Sequence, residues 1–461
     1  MESSINLISA NRLDVFTKTP LAYAWANRID QSWGLELYMR YMLATRPKNG
    51  FSEDNSKFSI NDYLNSFRSI FNSIESFGFD NKVSTIPIGS LGITNGAHRL
   101  ATTLVLGKDV ATSQSTDSDH YYDSKYMKTI GLPASYIDAC VLEMINYSKK
   151  FTVFCAMSIS EKLAEQIEKC LELKNFSIVH VKALNLSKIG QRRLMKILYG
   201  KNKWWSNELY ETLALERFGG EKSSYFYFVL SKSHQEEVDF KSELRNKFFG
   251  DFMHKKLHST DTHLEARHLG QAILNLNSLL FLNEAPIDSE VRLIEMIKNH
   301  QVLQFKDPNS FAIDGSANLE LFGIRKANDL DFIELTPEIT ETLSTDNHNS
   351  EYQNLPINPS RLILDPRNFA FIEGFKFVNI AQTVAFKAQR SEAKDLEDIA
   401  SLCSRSISGI VYNKKSGWFE LFYLRARLKL RRKVNKVLSP LPPFVQSFIR
   451  NLYVNVRNFM S

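Results

Sequence analysis

The stretch 313–334, IDGSANLELFGIRKANDLDFIE, decides how this chain is read. A Gly-Ser turn, Gly315 and Ser316, is followed by twelve residues and then by two acids one residue apart, Asp329 and Asp331. In a strand, residues i and i+2 share a face. That alternation predicts Asp329 and Asp331 side by side, with Leu330 and Phe332 turned into a core. Two neighbouring carboxylates repel unless a cation lies between them, and a hard divalent cation takes oxygen ligands. The glycine turn lets backbone N–H groups approach a phosphate. Asp329 and Asp331 are thus candidate ligands of Mg²⁺ or Mn²⁺, and Gly315 and Ser316 a candidate phosphate cradle. Arg325 and Lys326, just before the acids, are placed to meet phosphate oxygens.

Downstream, RLILDPRNFAFIEGFKFVNI (361–380) reads as strand, turn and hairpin, and KAQRSEAKDLEDIASL (387–402) as a charged helix. A hydrophobic residue, Gly-Ser, a spacer of a dozen residues and Asp-Leu-Asp-Phe together resemble the nucleotidyltransferase superfamily. The resemblance implies a mixed sheet with helices and a nucleoside triphosphate as substrate. It also implies a role for Lys394 near the phosphates and a third metal-binding carboxylate, for which Asp365 is preferred and Glu373 is the other candidate.

Earlier, VSTIPIGSLGITNGAHRLATTLVLGKDVAT (83–112) reads as strand, glycine turn, short strand and a helix opening at Asn95–Arg99 and ending near Gly107. Gly96, His98 and Arg99 are candidate phosphate-binding residues, because helix N-termini attract anions. NGAHRLA followed by LG resembles the ParB/sulfiredoxin-like superfamily, with Asn95 where that family commonly has Asp. A middle segment, 151–282, reads as strand, helix, strand, then a further strand at 223–231. Its His258-Ser-Thr-Asp-Thr string resembles nucleoside diphosphate kinase and implies a ferredoxin-like fold. It also implies His258 as phosphate carrier and Arg245 as a phosphate-binding residue. The family's early Lys-Pro-Asp-Gly is replaced by Ala156-Met157-Ser158-Ile159, and the Asn before the histidine by Lys255. His254, His258, His263 and His268 also raise a metal reading, which the Ser-Thr-Asp turn after His258 argues against.

Length and composition frame these motifs. A chain of 461 residues with 43% hydrophobic and 23% charged residues has the make-up of a multidomain globular protein. The expected architecture is α/β (α+β) and multidomain. The resemblances imply a ParB/sulfiredoxin-like domain at 1–145, a nucleoside diphosphate kinase-like domain at 150–285 and a nucleotidyltransferase domain at 290–410, followed by a basic amphipathic tail at 414–461. Four scattered cysteines without a CxxC pair argue for reduced thiols and against a zinc site. No segment approaches the roughly 18 apolar residues of a spanning helix. Residues 414–461 carry eleven Lys and Arg against the single acid Glu420. WFELFYLRARLKLRRKVNKVL (418–438) sets aromatic and Leu positions among them, a pattern that favours a helix lying on an anionic membrane surface over a nucleic-acid patch or a tail packed on its own protein. The polar tract 340–356 reads as a lid or a plain exposed loop.

These features predict a cytoplasmic enzyme, peripheral at the inner face of a membrane. It moves a nucleoside monophosphate onto a small phosphorylated or hydroxylated acceptor, in a setting similar to surface polysaccharide precursor synthesis. No nucleic-acid partner is expected. Two other classes stay open: a phosphotransferase acting through His98 and Arg99 or through His258, and a non-catalytic nucleotide-sensing scaffold.

Overall fold

In the computed structural model the described residues are 1–45, 59–117, 120–200, 209–219, 223–231, 233–250, 256–335, 347–352 and 357–404. The basic tail, the residues around Trp204 and Trp205, and His254 and Lys255 lie outside them. The architecture is mixed α/β, with several small sheets. The chain divides into two compact units, 1–379 and 380–461. Among the described residues no helix is long and apolar enough to cross a membrane. None of the four cysteines is paired, and Cys140 and Cys155 are buried.

The N-terminal part is mainly helical. Ser59 and Asp62 close a reciprocal capping box on the helix Ile60–Phe77. The strands Ile86–Gly89 and Gly92–Ile93 pair antiparallel, and the strand Thr112–Gln114 adds on in parallel. As expected, a helix opens at Gly96 and closes at Gly107, spanning Ala97–Leu106.

The middle part is a four-stranded antiparallel sheet with the order Ser177–Leu184, Ser224–Leu230, Phe151–Ala156, Leu257–Ser259. The helices Glu161–Leu173 and His234–Phe248 connect its strands and are capped by Ser160 and Ser233. All six residues of Phe151–Ala156 are buried, because both faces of the sheet are covered. Val153 and Cys155 face one core, while Phe154 and Ala156 face a second with Phe176 and Phe240. The first core runs without a break from Leu7 to Leu282. No gap in the apolar packing marks the expected boundary near residue 145.

The last sheet has the order Phe332–Glu334, Phe311–Ile313, Phe375–Val378, Phe369–Ile372. Its outer pairs are antiparallel and its central pair parallel. Glu373 and Gly374, both with positive φ, make the two-residue turn of the hairpin. The strand expected at 361–364 is instead the helix Pro359–Leu364. Asn358 accepts from the Ser360 N–H and Pro359 occupies the first turn, which favours a helix start over an extended entry.

The second unit holds the helices Ile380–Arg390 and Ala393–Ser404. The single charged helix expected at 387–402 is broken at Ser391, whose φ is 55°. Lys387, buried on the first helix, pairs with Asp395 at 3.1 Å and Asp398 at 3.0 Å on the second.

Candidate active site

The strands Phe311–Ile313 and Phe332–Glu334 place Ile313 opposite Phe332. One step further along the same register, the Asp314 N–H donates to the Asp331 carbonyl at 2.8 Å. Asp314 and Asp331 are therefore cross-strand neighbours. Like charges directly opposite one another destabilise a pair of strands. The chain resolves this with His348. Its Nδ1 lies 3.4 Å from Asp314 Oδ2 and its Nε2 3.1 Å from Asp331 Oδ1. Burial alone would push the imidazole down, but hydrogen bonds and charge from Asp314 and Asp331 carry it up to about 10. His348 is an imidazolium at neutral pH, and it supplies the positive charge the two acids require. Tyr352 donates a second bond to Asp314 Oδ2 at 2.8 Å. Asp314 is fully buried, and its Oδ1 has no partner among the described residues.

The segment carrying His348 is zipped onto the neighbouring strand. Its N–H donates to the Phe332 carbonyl at 2.8 Å, Asn347 donates to Glu334 Oε1 at 2.7 Å, and Asn349 to the Glu334 carbonyl at 2.9 Å. Part of the polar tract 340–356 thus forms a wall of the site.

Gly315 brings the turn against the acid. Its φ is 66° and its ψ −135°, a conformation close to glycine-only. A Cβ there would overlap Asp331 Oδ2 and lie 3.1 Å from the Asp331 Cβ and Cγ. Ser316 starts the short helix Ser316–Leu321 and is nearly buried.

Asp329 does not join this group. The strand begins at Phe332, so the alternation that would align Asp329 with Asp331 does not reach it. Asp329 is exposed in a bend and lines an open recess with Arg292, Glu295 and His300. The loop before it is pinned elsewhere: Glu320 Oε2 accepts from the Ala327 N–H at 2.6 Å, and Arg292 donates to the Ala327 carbonyl at 2.7 Å. Leu330 and Phe332 are buried, as expected. Arg325 donates to the Lys326 carbonyl at 3.3 Å.

Asp365, the expected third ligand, closes the helix Pro359–Leu364 and binds Arg367 at 2.7 Å. Arg367 also pairs with Glu36 at 2.7 Å and lies over the Trp33 and Tyr136 rings. Arg367 thus ties the segment before the C-terminal hairpin to the N-terminal helices, and the Asp365 carboxylate is spent on holding it. Among the described residues no group of three metal-ligating side chains converges. Oxygen donors for a divalent cation are nevertheless present at Asp314, with its unpartnered buried oxygen, and at Asp331. Lys394 lies in the second unit, with Nζ 3.4 Å from Glu392.

The other expected residues are each held internally. His98 Nε2 is 3.1 Å from the Tyr38 hydroxyl, and its ring packs on Phe67 at 4.6 Å. Arg99 folds back beside Gly96 and donates to the Thr85 carbonyl at 2.7 Å. His258 lies in a strand opposite Cys155, with Nδ1 3.1 Å from the Tyr199 hydroxyl and Nε2 3.0 Å from Glu265. Arg245 donates twice to the Leu257 carbonyl, at 3.0 and 2.7 Å. No family model matches the chain, and neither a curated protein nor a solved structure matches it.

Proposed function

We propose that the chain is a Mg²⁺-dependent nucleotidyltransferase acting on a small acceptor. The observation that carries this reading is the Gly315 turn pressed against Asp331, with Asp314 directly across the ladder. Asp314 and Asp331 would hold the metal. Bound there, Mg²⁺ would neutralise a triphosphate and favour in-line displacement of pyrophosphate. Asp314 takes the place that the spacing assigns to Asp329. Gly315 and Ser316 offer backbone N–H groups to a phosphate. His348 offsets the charge of both carboxylates until a stronger cation arrives, and Tyr352 donates to Asp314 and steadies its rotamer.

The finer fold readings belong to the same proposal. The middle sheet's order, with two connecting helices, supports a ferredoxin-like module. The glycine-started helix at Ala97 supports a ParB/sulfiredoxin-like one, and the mixed C-terminal sheet a nucleotidyltransferase one. A peripheral cytoplasmic location and a role in surface polysaccharide precursors rest on sequence likeness alone. Phosphotransfer through His258 is disfavoured, because both ring nitrogens already have partners and attack requires one to be released.

The test is a screen of the four nucleoside triphosphates with Mg²⁺ against sugar phosphates and polyols, following pyrophosphate and ADP separately. Pyrophosphate release that disappears in Asp331→Asn and Asp314→Asn is the expected result. Full turnover by either folded variant would remove the proposal. Acid-labile label on His258 would favour the phosphotransferase instead, and nucleotide binding without release of either product would favour the scaffold.

A further inference from the structure

A cavity of ≈ 290 Å³ lies between the N-terminal helices and the hairpin Phe369–Val378, lined by charges of both signs. Lys376 is almost completely buried in it. Its Nζ donates to the Asn309 carbonyl at 3.1 Å and the Ile363 carbonyl at 2.8 Å, and lies over the Phe369 ring. An ammonium has three donors, so one remains after these two bonds. Glu143, on the helix Ala134–Tyr147, lines the same cavity. The two groups attract each other electrostatically, yet no ion pair within 4 Å joins them. Arg267 contributes a second cation, with a buried Nε that has no hydrogen-bond partner. Asp30 and Asp307 add negative charge. Trp33 and Tyr147 contribute flat apolar surface.

Buried charges are costly unless each meets its complement. A phosphate dianion would satisfy Lys376 and Arg267 but face three carboxyl groups. A simple amine would satisfy Glu143 and face two cations. A molecule carrying both charges a few ångströms apart answers both sets, and the aromatic surface accommodates an apolar substituent. We infer that this cavity is a binding site for a zwitterionic small molecule of the α-amino acid class. Its carboxylate is met by Arg267 and Lys376, and its ammonium by Glu143. The site is built from residues other than those around Asp314, and it stands whether or not nucleotidyl transfer does.

The experiment uses the full chain, titrated calorimetrically and by thermal shift with each of the twenty common amino acids. Controls are matched amines lacking the carboxylate, matched acids lacking the amine, and glucose 1-phosphate. At least one amino acid is expected to give saturable heat and a raised Tm. Each single-charge analogue should bind about tenfold more weakly or worse, since a charged hydrogen bond is lost. Arg267→Gln and Glu143→Gln should weaken binding by a similar factor. Arg267 is only partly buried, so its variant is expected to keep the parent's circular dichroism spectrum and serves as the decisive one. The inference is overturned if no amino acid binds, if glucose 1-phosphate or the amines bind as tightly, or if folded Arg267→Gln binds like the parent.

Discussion

Nε2 of His348 sits 3.1 Å from Oδ1 of Asp331, so a residue from a distant polar tract neutralises an acid at the mouth of a glycine turn. Replacing His348 by Asn leaves Asp314 and Asp331 opposed across the ladder without a counter-charge. The expected cost is on the order of 2 kcal/mol in metal-free buffer. Added Mg²⁺ should restore more of the melting temperature in this variant than it adds to the parent. Calorimetry with and without EDTA measures both, and an identical Mg²⁺ response in the two proteins would contradict the arrangement.

Gly315→Ala tests the turn. Its φ of 66° and the overlap of a Cβ with Asp331 oppose any side chain. A loss of about 1–3 kcal/mol is expected from backbone strain. Nucleotidyl transfer should fall much further than stability does, because the acid itself must move. Chemical denaturation alongside pyrophosphate release separates the two effects.

Asp14 gives an acid-sensitivity prediction. Burial would raise its carboxyl, but Arg12 at 2.8 Å and Lys18 at 3.3 Å hold it down at about 2. Its folded value lies below the unfolded one, so it stabilises the protein above about pH 4. That contribution, on the order of 2 kcal/mol, is lost as pH falls from about 4 to about 2. Asp14→Asn should flatten this part of the stability curve. It should also destabilise the protein at pH 7, since two buried cations lose their partner.

The amino-acid cavity predicts the opposite trend near neutrality. Burial raises Glu143 to about 7, above its unfolded value, so the unfolded chain releases that proton first. Stability should therefore fall as pH rises from about 4.5 to about 7. Burial lowers Lys376 to about 8, so its unfavourable charge is shed in the folded state first and stability should recover between about 8 and 10. Glu143→Gln should abolish the decline and Lys376→Met the recovery, as read from denaturant midpoints across pH.

Much of the fold was legible because local signals and tertiary structure agree. Asn95-Gly96 marks a helix start, Phe-Thr-Val-Phe-Cys-Ala a strand, and the run 361–380 a hairpin. The aliphatic residues of Arg361–Leu364 suit strand and helix alike, and the Asn358 cap with Pro359 selects the helix. The site was half legible. Spacing alone identifies Asp331 and Gly315, but it points along the strand to Asp329, whereas the second acid lies across the ladder. Asp314 follows Ile313 directly, and pairing Phe311–Ile313 with Phe332–Glu334 puts it opposite Asp331. Between the two strands lie the helix Ser316–Leu321 and a loop, so spacing alone does not define that register. His348 was hidden further, since only the fold brings residue 348 beside residue 331. Asp365 was claimed instead by Arg367, two residues on, a local competition that proximity in sequence could have suggested.

The apolar cluster from Leu7 to Leu282 carries a consequence for how such a chain can change. Its first and second thirds are not interchangeable cassettes, because each supplies the other with an inner wall. Excising either would strip oily surface bare, and exchange between lineages would have to carry both across together.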